Sequence, residues 1–182
     1  MKKTILIAGA LAALLIPAAS FGGAPSGQDR ENAARACRGL RSQMGTETFR
    51  QTYGTAQSNR RNAFGRCASQ WARTEHQARI SARSACTTER ADANFAAGHE
   101  GKSFDEYYGT GPNHKNAFGK CVSSKAKSAS DEAQSNTENA AKQCKQERRD
   151  LGAADFRSKY GKNANDRNAF GKCVSQLAKA TA

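Results

Sequence analysis

The residues Asn-Ala-Phe-Gly-Arg-Cys stand at 62–67, and Asn-Ala-Phe-Gly-Lys-Cys stands at 116–121 and again at 168–173. Each copy is preceded by a further cysteine, at 37, 86 and 144, so the six cysteines fall into three similarly built pairs. Between the members of each pair, Phe49, Tyr53, Gly54 and Asn59 are matched by Phe104, Tyr108, Gly109 and Asn113, and by Phe156, Tyr160, Gly161 and Asn165. The second segment holds six more residues than the others between its first cysteine and its phenylalanine, around Ala-Asn-Phe-Ala-Ala-Gly-His-Glu-Gly-Lys at 93–102. Repetition on this scale marks one supersecondary unit used several times. The units are expected over 31–73, 80–127 and 138–179.

A cysteine framework matters here because the chain has little else to hold it. Lys2 and Lys3, the apolar run of residues 4–19, and small residues at Ala18 and Ser20 read as a secretory signal peptide over 1–20, cut near Ser20. The run is short for a membrane span and is interrupted by Pro17, and no cysteine follows it that could carry a lipid. Residues 21–30 are expected to be a disordered N-terminal segment. Beyond Ser20, Phe, Leu, Ile and Val together number 14 of 162 residues. That is about 9%, against the roughly 20% below which a charged chain is suspected of disorder. Apolar burial alone is then too small to offset the entropy of ordering the backbone.

Export places the cysteines in an oxidising compartment, where disulfides persist. Six cysteines permit about 15 pairings in general. Only closure within each unit treats the three copies alike: Cys37–Cys67, Cys86–Cys121 and Cys144–Cys173. On the chain-entropy account a bridge across about 30 residues contributes roughly 3–4 kcal/mol. No Cys-x-x-Cys occurs, and His76, His99 and His114 do not recur in register, so the cysteines do not read as a zinc site. No cofactor is expected.

Local signals point to helices throughout, with no sheet. The segment around each first cysteine is rich in Ala, Gln, Glu, Lys and Arg, which favour helix. Phe-x-x-x-Tyr-Gly reads as a short aromatic helix closed by a left-handed glycine. Asn59, Asn113 and Asn165 read as N-caps of the helices carrying Asn-Ala-Phe-Gly. In those helices the phenylalanine reads as core, and Gly65, Gly119 and Gly171 as points of close backbone approach. Residues 66–97 and 120–151 lack Gly and Pro, so neighbouring units are expected to share long connecting helices in an elongated all-α chain. Ser135 and Glu138 form a potential capping box, which marks a possible break near 128–136.

The combination Cys…Phe-x-x-x-Tyr-Gly…Asn-Ala-Phe-Gly-Lys-Cys-Val-Ser resembles exported repeat proteins of high-GC bacteria, a group to which no activity is attached. The resemblance spans the chain beyond the leader. It implies export and repetition, and carries over no functional residue.

Nucleophile-elbow, zinc-protease, phosphate-loop and calcium-loop motifs are all lacking, and no acidic residue recurs in all three segments, so the chain does not read as an enzyme. The basic residues do recur. Arg41, Arg90 and Arg148 each lie four residues after a first cysteine; Arg61, Lys115 and Arg167 precede Asn-Ala-Phe-Gly; Arg66, Lys120 and Lys172 precede the second cysteine; and Arg73, Lys127 and Lys179 follow one heptad later. Loss of Lys2 and Lys3 with the leader leaves 27 basic against 16 acidic residues, a formal charge of +11. A repeated basic face serves solubility, and it also draws in anionic polymers. The expected partners are acidic wall polymers, anionic lipid surfaces or extracellular DNA, the last without base readout, for a protein that is secreted or held at the cell envelope. The competing expectation is a structural or interaction spacer of the envelope with no polyanion specificity.

Overall fold

A computed structural model describes residues 23–55, 58–161 and 166–180. The leader expected over 1–20 lies outside these residues, as does Asn165. Among the described residues every regular element is helical. The order is α1 (Gly27–Met44), α2 (Thr46–Tyr53), α3 (Ala63–Ala91), a 3-10 turn (Phe95–Gly98), α4 (Phe104–Tyr108), α5 (Ala117–Tyr160) and α6 (Ala169–Ala180).

Three disulfides connect these helices: Cys37–Cys67 joins α1 to α3, Cys86–Cys121 joins α3 to α5, and Cys144–Cys173 joins α5 to α6. All six sulfurs are fully buried, and the bridged Cα atoms stand 6.0–6.1 Å apart. Helix α3 therefore carries one cysteine of each of two bridges, and so does α5. Cys86 of α3 meets Cys121 of α5, and Glu75, earlier in α3, bonds Ser130, later in α5, so the two helices run antiparallel. Helix α1 packs along the first half of α3, and α6 along the last half of α5.

The core is divided. Leu40, Phe49, Tyr53, Trp71, Phe156, Tyr160, Phe170 and Val174, with two bridges and several alanines, make one cluster fed by both ends of the chain. Phe95, Phe104 and Ala117 surround the Cys86–Cys121 bridge in a second, smaller one. In each segment the Phe-x-x-x-Tyr rings pack one turn apart in a tilted arrangement, with centroids 5.0 Å apart in all three. Their hydroxyls differ in partner. Tyr108 donates to Glu89 at 2.9 Å and Tyr160 to Glu147 at 2.8 Å, each acid lying three residues after its cysteine. Leu40 takes that place in the first segment, and the Tyr53 oxygen instead accepts from the Trp71 Nε1–H at 3.2 Å.

Several local expectations are corrected. Residues 27–30 of the segment read as disordered are helical. Ser26 and Asp29 form a capping box, and Arg79 of α3 grips the same carboxylate at 3.1 and 2.8 Å, which anchors the start of α1. The helix caps fall at Asn62 and Asn116, not at Asn59 and Asn113; Asn59 has left-handed φ (48°). Even these asparagines turn back instead of capping: Asn62 Oδ1 accepts from Thr55 N at 3.0 Å, and Asn116 Oδ1 from Thr110 N at 2.9 Å. The glycines after the tyrosines are extended, with φ of −80°, −75° and −63° at Gly54, Gly109 and Gly161. Their requirement is space: a Cβ at Gly54 would stand 2.5 Å from Arg60 Cβ, and one at Gly109 2.6 Å from His114 Cβ.

Positive φ is needed elsewhere. Gly45 (φ 81°, ψ 154°) separates α1 from α2, and Gly152 (φ 80°, ψ 162°) kinks α5, each eight residues after its first cysteine. That region is essentially restricted to glycine. Helix α5 has no break at 128–136. Ser130 is buried there and donates to Glu75 of α3, so packing holds the helix through a stretch of weak propensity. Helix α3 stops at Ala91, short of residue 97. Within Asn-Ala-Phe-Gly, the alanine is the deeply buried letter at Ala63, Ala117 and Ala169, while Phe64 and Phe118 are only partly buried and Phe170 is buried.

Candidate anion-binding surface

All twelve repeated basic residues are exposed. Arg41 lies on α1, Arg66, Arg73 and Arg90 on α3, Lys120, Lys127 and Arg148 on α5, and Lys172 and Lys179 on α6, while Arg61, Lys115 and Arg167 sit in the turns that precede α3, α5 and α6. Three of them also do local work. The Arg66 Nε–H donates to the Tyr53 carbonyl at 3.1 Å and so satisfies a carbonyl at the end of α2. Arg73 donates to the Ser69 carbonyl, and Lys127 pairs with Asp131 one turn on. The Arg73 and Lys127 bonds are exposed and contribute little to stability.

The chain fold gathers only some of the twelve. Arg148 and Arg167 meet in a cleft of 360 Å³, joined by two arginines that the repeat pattern does not mark, Arg60 and Arg157. Phe156 and Phe170, 1% and 6% exposed, close its floor. Arg148 Nη1 donates to Gln51 Oε1 at 3.1 Å, across 97 residues of sequence. Arg60 approaches Glu47 at 3.6 Å, an exposed and weak pair. The one acid in the lining, Asp166, lies folded over the backbone of Gly161, where an added Cβ would stand 2.1 Å from its Oδ1. Glu147, next to Arg148 in sequence, is taken up by Lys159 at 2.6 Å and by Tyr160; the Lys159 bond and then the Tyr160 bond, against burial, hold its carboxyl below the usual range.

The repeat pattern does not mark Arg60 and Arg157, because their positions vary between segments: Arg60 corresponds to His114 and Asp166, and Arg157 to Arg50 and Asp105. Repetition alone cannot identify a site built where the first and third segments touch.

A second cleft, of 660 Å³, lies between α1, α3 and α5 and mixes charges: Asp29, Glu75 and Asp131 face Arg35, Arg79 and Lys127. Its acids are engaged internally. Arg79 binds Asp29 through two nitrogens, and that bond chiefly, with those from Ser26, holds the Asp29 carboxyl well below the usual carboxylate range. Glu75 accepts from Ser130 and, at 3.5 Å, from Asn32. Near the second core, Arg90 and Arg83 flank a shallower groove of 470 Å³. Outside that groove's lining, Lys125 pairs with Glu89 at 2.7 Å; burial raises that carboxyl, but the bonds from Lys125 and Tyr108 outweigh it and leave it lowered.

Among the described residues no group of three His, Cys, Asp or Glu side chains could hold a metal ion, and no helix is long and apolar enough to cross a membrane. No protein family, curated protein or solved structure matches the chain.

Proposed function

We propose that this is an exported, non-enzymatic bacterial protein in which three disulfide-stapled helical units, joined by shared helices into an elongated body, present basic surfaces to an anionic polymer of the cell envelope. The observation that carries the reading is the exposure of all twelve repeated basic positions in a chain whose formal charge beyond the leader is +11. A multivalent basic surface concentrates near polyanions through long-range attraction that salt screens. Three buried disulfides fit an extracellular setting. A polymer is favoured over a lipid surface because, among the described residues, the exposed large apolar side chains are Tyr107 on α4 and Leu151 on α5, on different helices.

The test compares two variants of equal charge. Changing Arg66, Arg73, Lys120, Lys127, Lys172 and Lys179 to Gln brings the formal charge to +5, and so does changing Arg30, Arg38, Arg50, Arg83, Lys145 and Arg149, which are exposed but outside the repeated set. Retention on immobilised heparin at two salt concentrations is expected to fall further in the first variant, with a shallower salt dependence. Equal loss in both would reduce the repeated face to ordinary surface. Salt-insensitive self-association without heparin retention would favour the envelope-spacer reading.

A further inference from the structure

We propose that the cleft lined by Arg60, Arg148, Arg157 and Arg167 is a discrete site for a phosphate group. The proposal rests on the reading of the surface as anion-binding and locates one defined position within it. Arg60, Arg148, Arg157 and Arg167 line a space of 360 Å³ with one lining carboxylate, Asp166, which is folded onto Gly161, while Glu47, outside the lining, approaches Arg60 at 3.6 Å. Gathering like charges is unfavourable unless something opposes them, and the floor of Phe156 and Phe170 sharpens the effect by keeping water away from one side. An oxyanion in the cleft adds to the opposing charge that Asp166 and Glu47 supply there. Guanidinium is the group best shaped for it, because its fixed fork of N–H donors matches two phosphate oxygens at once.

The arrangement is also partly preorganised. Gln51 of α2 already holds Arg148 of α5, and the kink at Gly152 carries Arg157 on the turn beyond it, on the wall shared with Phe156. Arg60 stands at left-handed φ (61°) in the turn before α3, and Arg167 in the turn before α6. The four arginines thus come from separate stretches of chain that only the folded protein brings together. The volume falls at the lower end of the usual range for small-ligand sites, which suits one phosphate group at a time, free or carried on a chain that runs out of the cleft.

The site is separable from the repeated basic face because Arg60 and Arg157 do not belong to it. Titration of the mature, disulfide-bonded protein with inorganic phosphate, followed by calorimetry at low ionic strength, should show one site per chain. Arg60→Asn with Arg157→Gln should weaken phosphate by about tenfold or more, since each charge-assisted bond is among the strong ones. Asn suits the left-handed backbone at 60, so the fold should survive, and circular dichroism verifies this. Arg30→Gln with Arg38→Gln removes the same charge from α1, outside the cleft, and should change the affinity by no more than about twofold. Repeating both titrations with a short polyphosphate identifies the source: tighter binding than inorganic phosphate, with the same selective loss, assigns the site to a chain-borne phosphate, and equal affinity to a free one. Equal losses in the two variants, or no phosphate binding by the parent protein, would overturn the site. Heparin retention by the parent in that case would leave the broader polyanion reading standing.

Discussion

Gly171 of α6 lies against Thr52 of α2 so closely that a Cβ on the glycine would stand 2.6 Å from the Thr52 carbonyl oxygen. This contact seats the last helix on the short aromatic helix near the start of the chain. Gly65 and Gly119 occupy the same place in the same Asn-Ala-Phe-Gly run, yet a Cβ on either would meet nothing within 4 Å. Alanine should therefore act oppositely at these sites. Gly65→Ala and Gly119→Ala should each stabilise the protein by up to about 1 kcal/mol through helix propensity. Gly171→Ala should destabilise it by about 1–3 kcal/mol, because a backbone oxygen cannot move aside as a side chain can. Urea denaturation of the three single variants decides this, and three shifts of one sign would contradict the close approach.

The bridge Cys86–Cys121 supports a core of only three other buried residues, Phe95, Phe104 and Ala117. Replacing both cysteines by Ala removes about 3–4 kcal/mol on the chain-entropy account. The loss should be local. Trp71, the single tryptophan, belongs to the other cluster, so its emission should hold while far-ultraviolet circular dichroism reports early melting. Coincident transitions by both probes would mean that the two cores unfold as one.

Asp29 joins the first turn of α1 to α3, and the buried carboxylate is matched by an Arg79 side chain that keeps 39% of its exposure. Asp29→Asn should cost about 2 kcal/mol, below the figure for a wholly buried pair because Arg79 can return to water. Its folded pKa is lowered, chiefly by the Arg79 bond, so the stabilisation is complete above the unfolded value near about 4. It declines as pH falls below that value and is lost once the folded carboxyl protonates. The parent should thus lose stability in acid more steeply than Asp29→Asn, which chemical denaturation across pH 2–6 measures.

The alkaline limit is set by phenols. Burial pushes Tyr53 up to about 12, with the Trp71 bond working the other way, and burial followed by the glutamate bonds raises Tyr108 and Tyr160. A raised phenol leaves stability intact below about pH 10, where the unfolded side chain is still neutral. Above that the unfolded chain ionises first and stability falls. Tyr53→Phe should lower the neutral-pH stability by about 1 kcal/mol, since Trp71 loses its acceptor. It should also make the fall between pH 10 and 12 shallower, as seen in denaturation midpoints at pH 9 and 11.5. An unchanged slope would show that Tyr53 does not titrate with unfolding.

The amino-acid sequence by itself determined what depends on neighbours along the chain. The helical composition, the three aromatic ring pairs and the spacing of each cysteine pair are local properties, and a bridge across 29 to 35 residues closes on one helix-turn-helix segment. Gly45 and Gly152, each eight residues after a cysteine, stand out less in the sequence, because the second segment has Asn94 in that place and breaks the pattern. Tertiary structure decided what depends on contact between distant stretches. It merged the first and third segments into one core and left the second with its own. It carried α5 unbroken past Ser135 by burying Ser130 against Glu75, and gave Gly171 a neighbour that Gly65 and Gly119 lack. It also drew Arg60 and Arg157 to Arg148 and Arg167. A repeated stretch of sequence specifies its local helices but cannot encode which copy it will touch; that follows from how the long helices α3 and α5 turn back on each other, and the cleft exists only after they have done so.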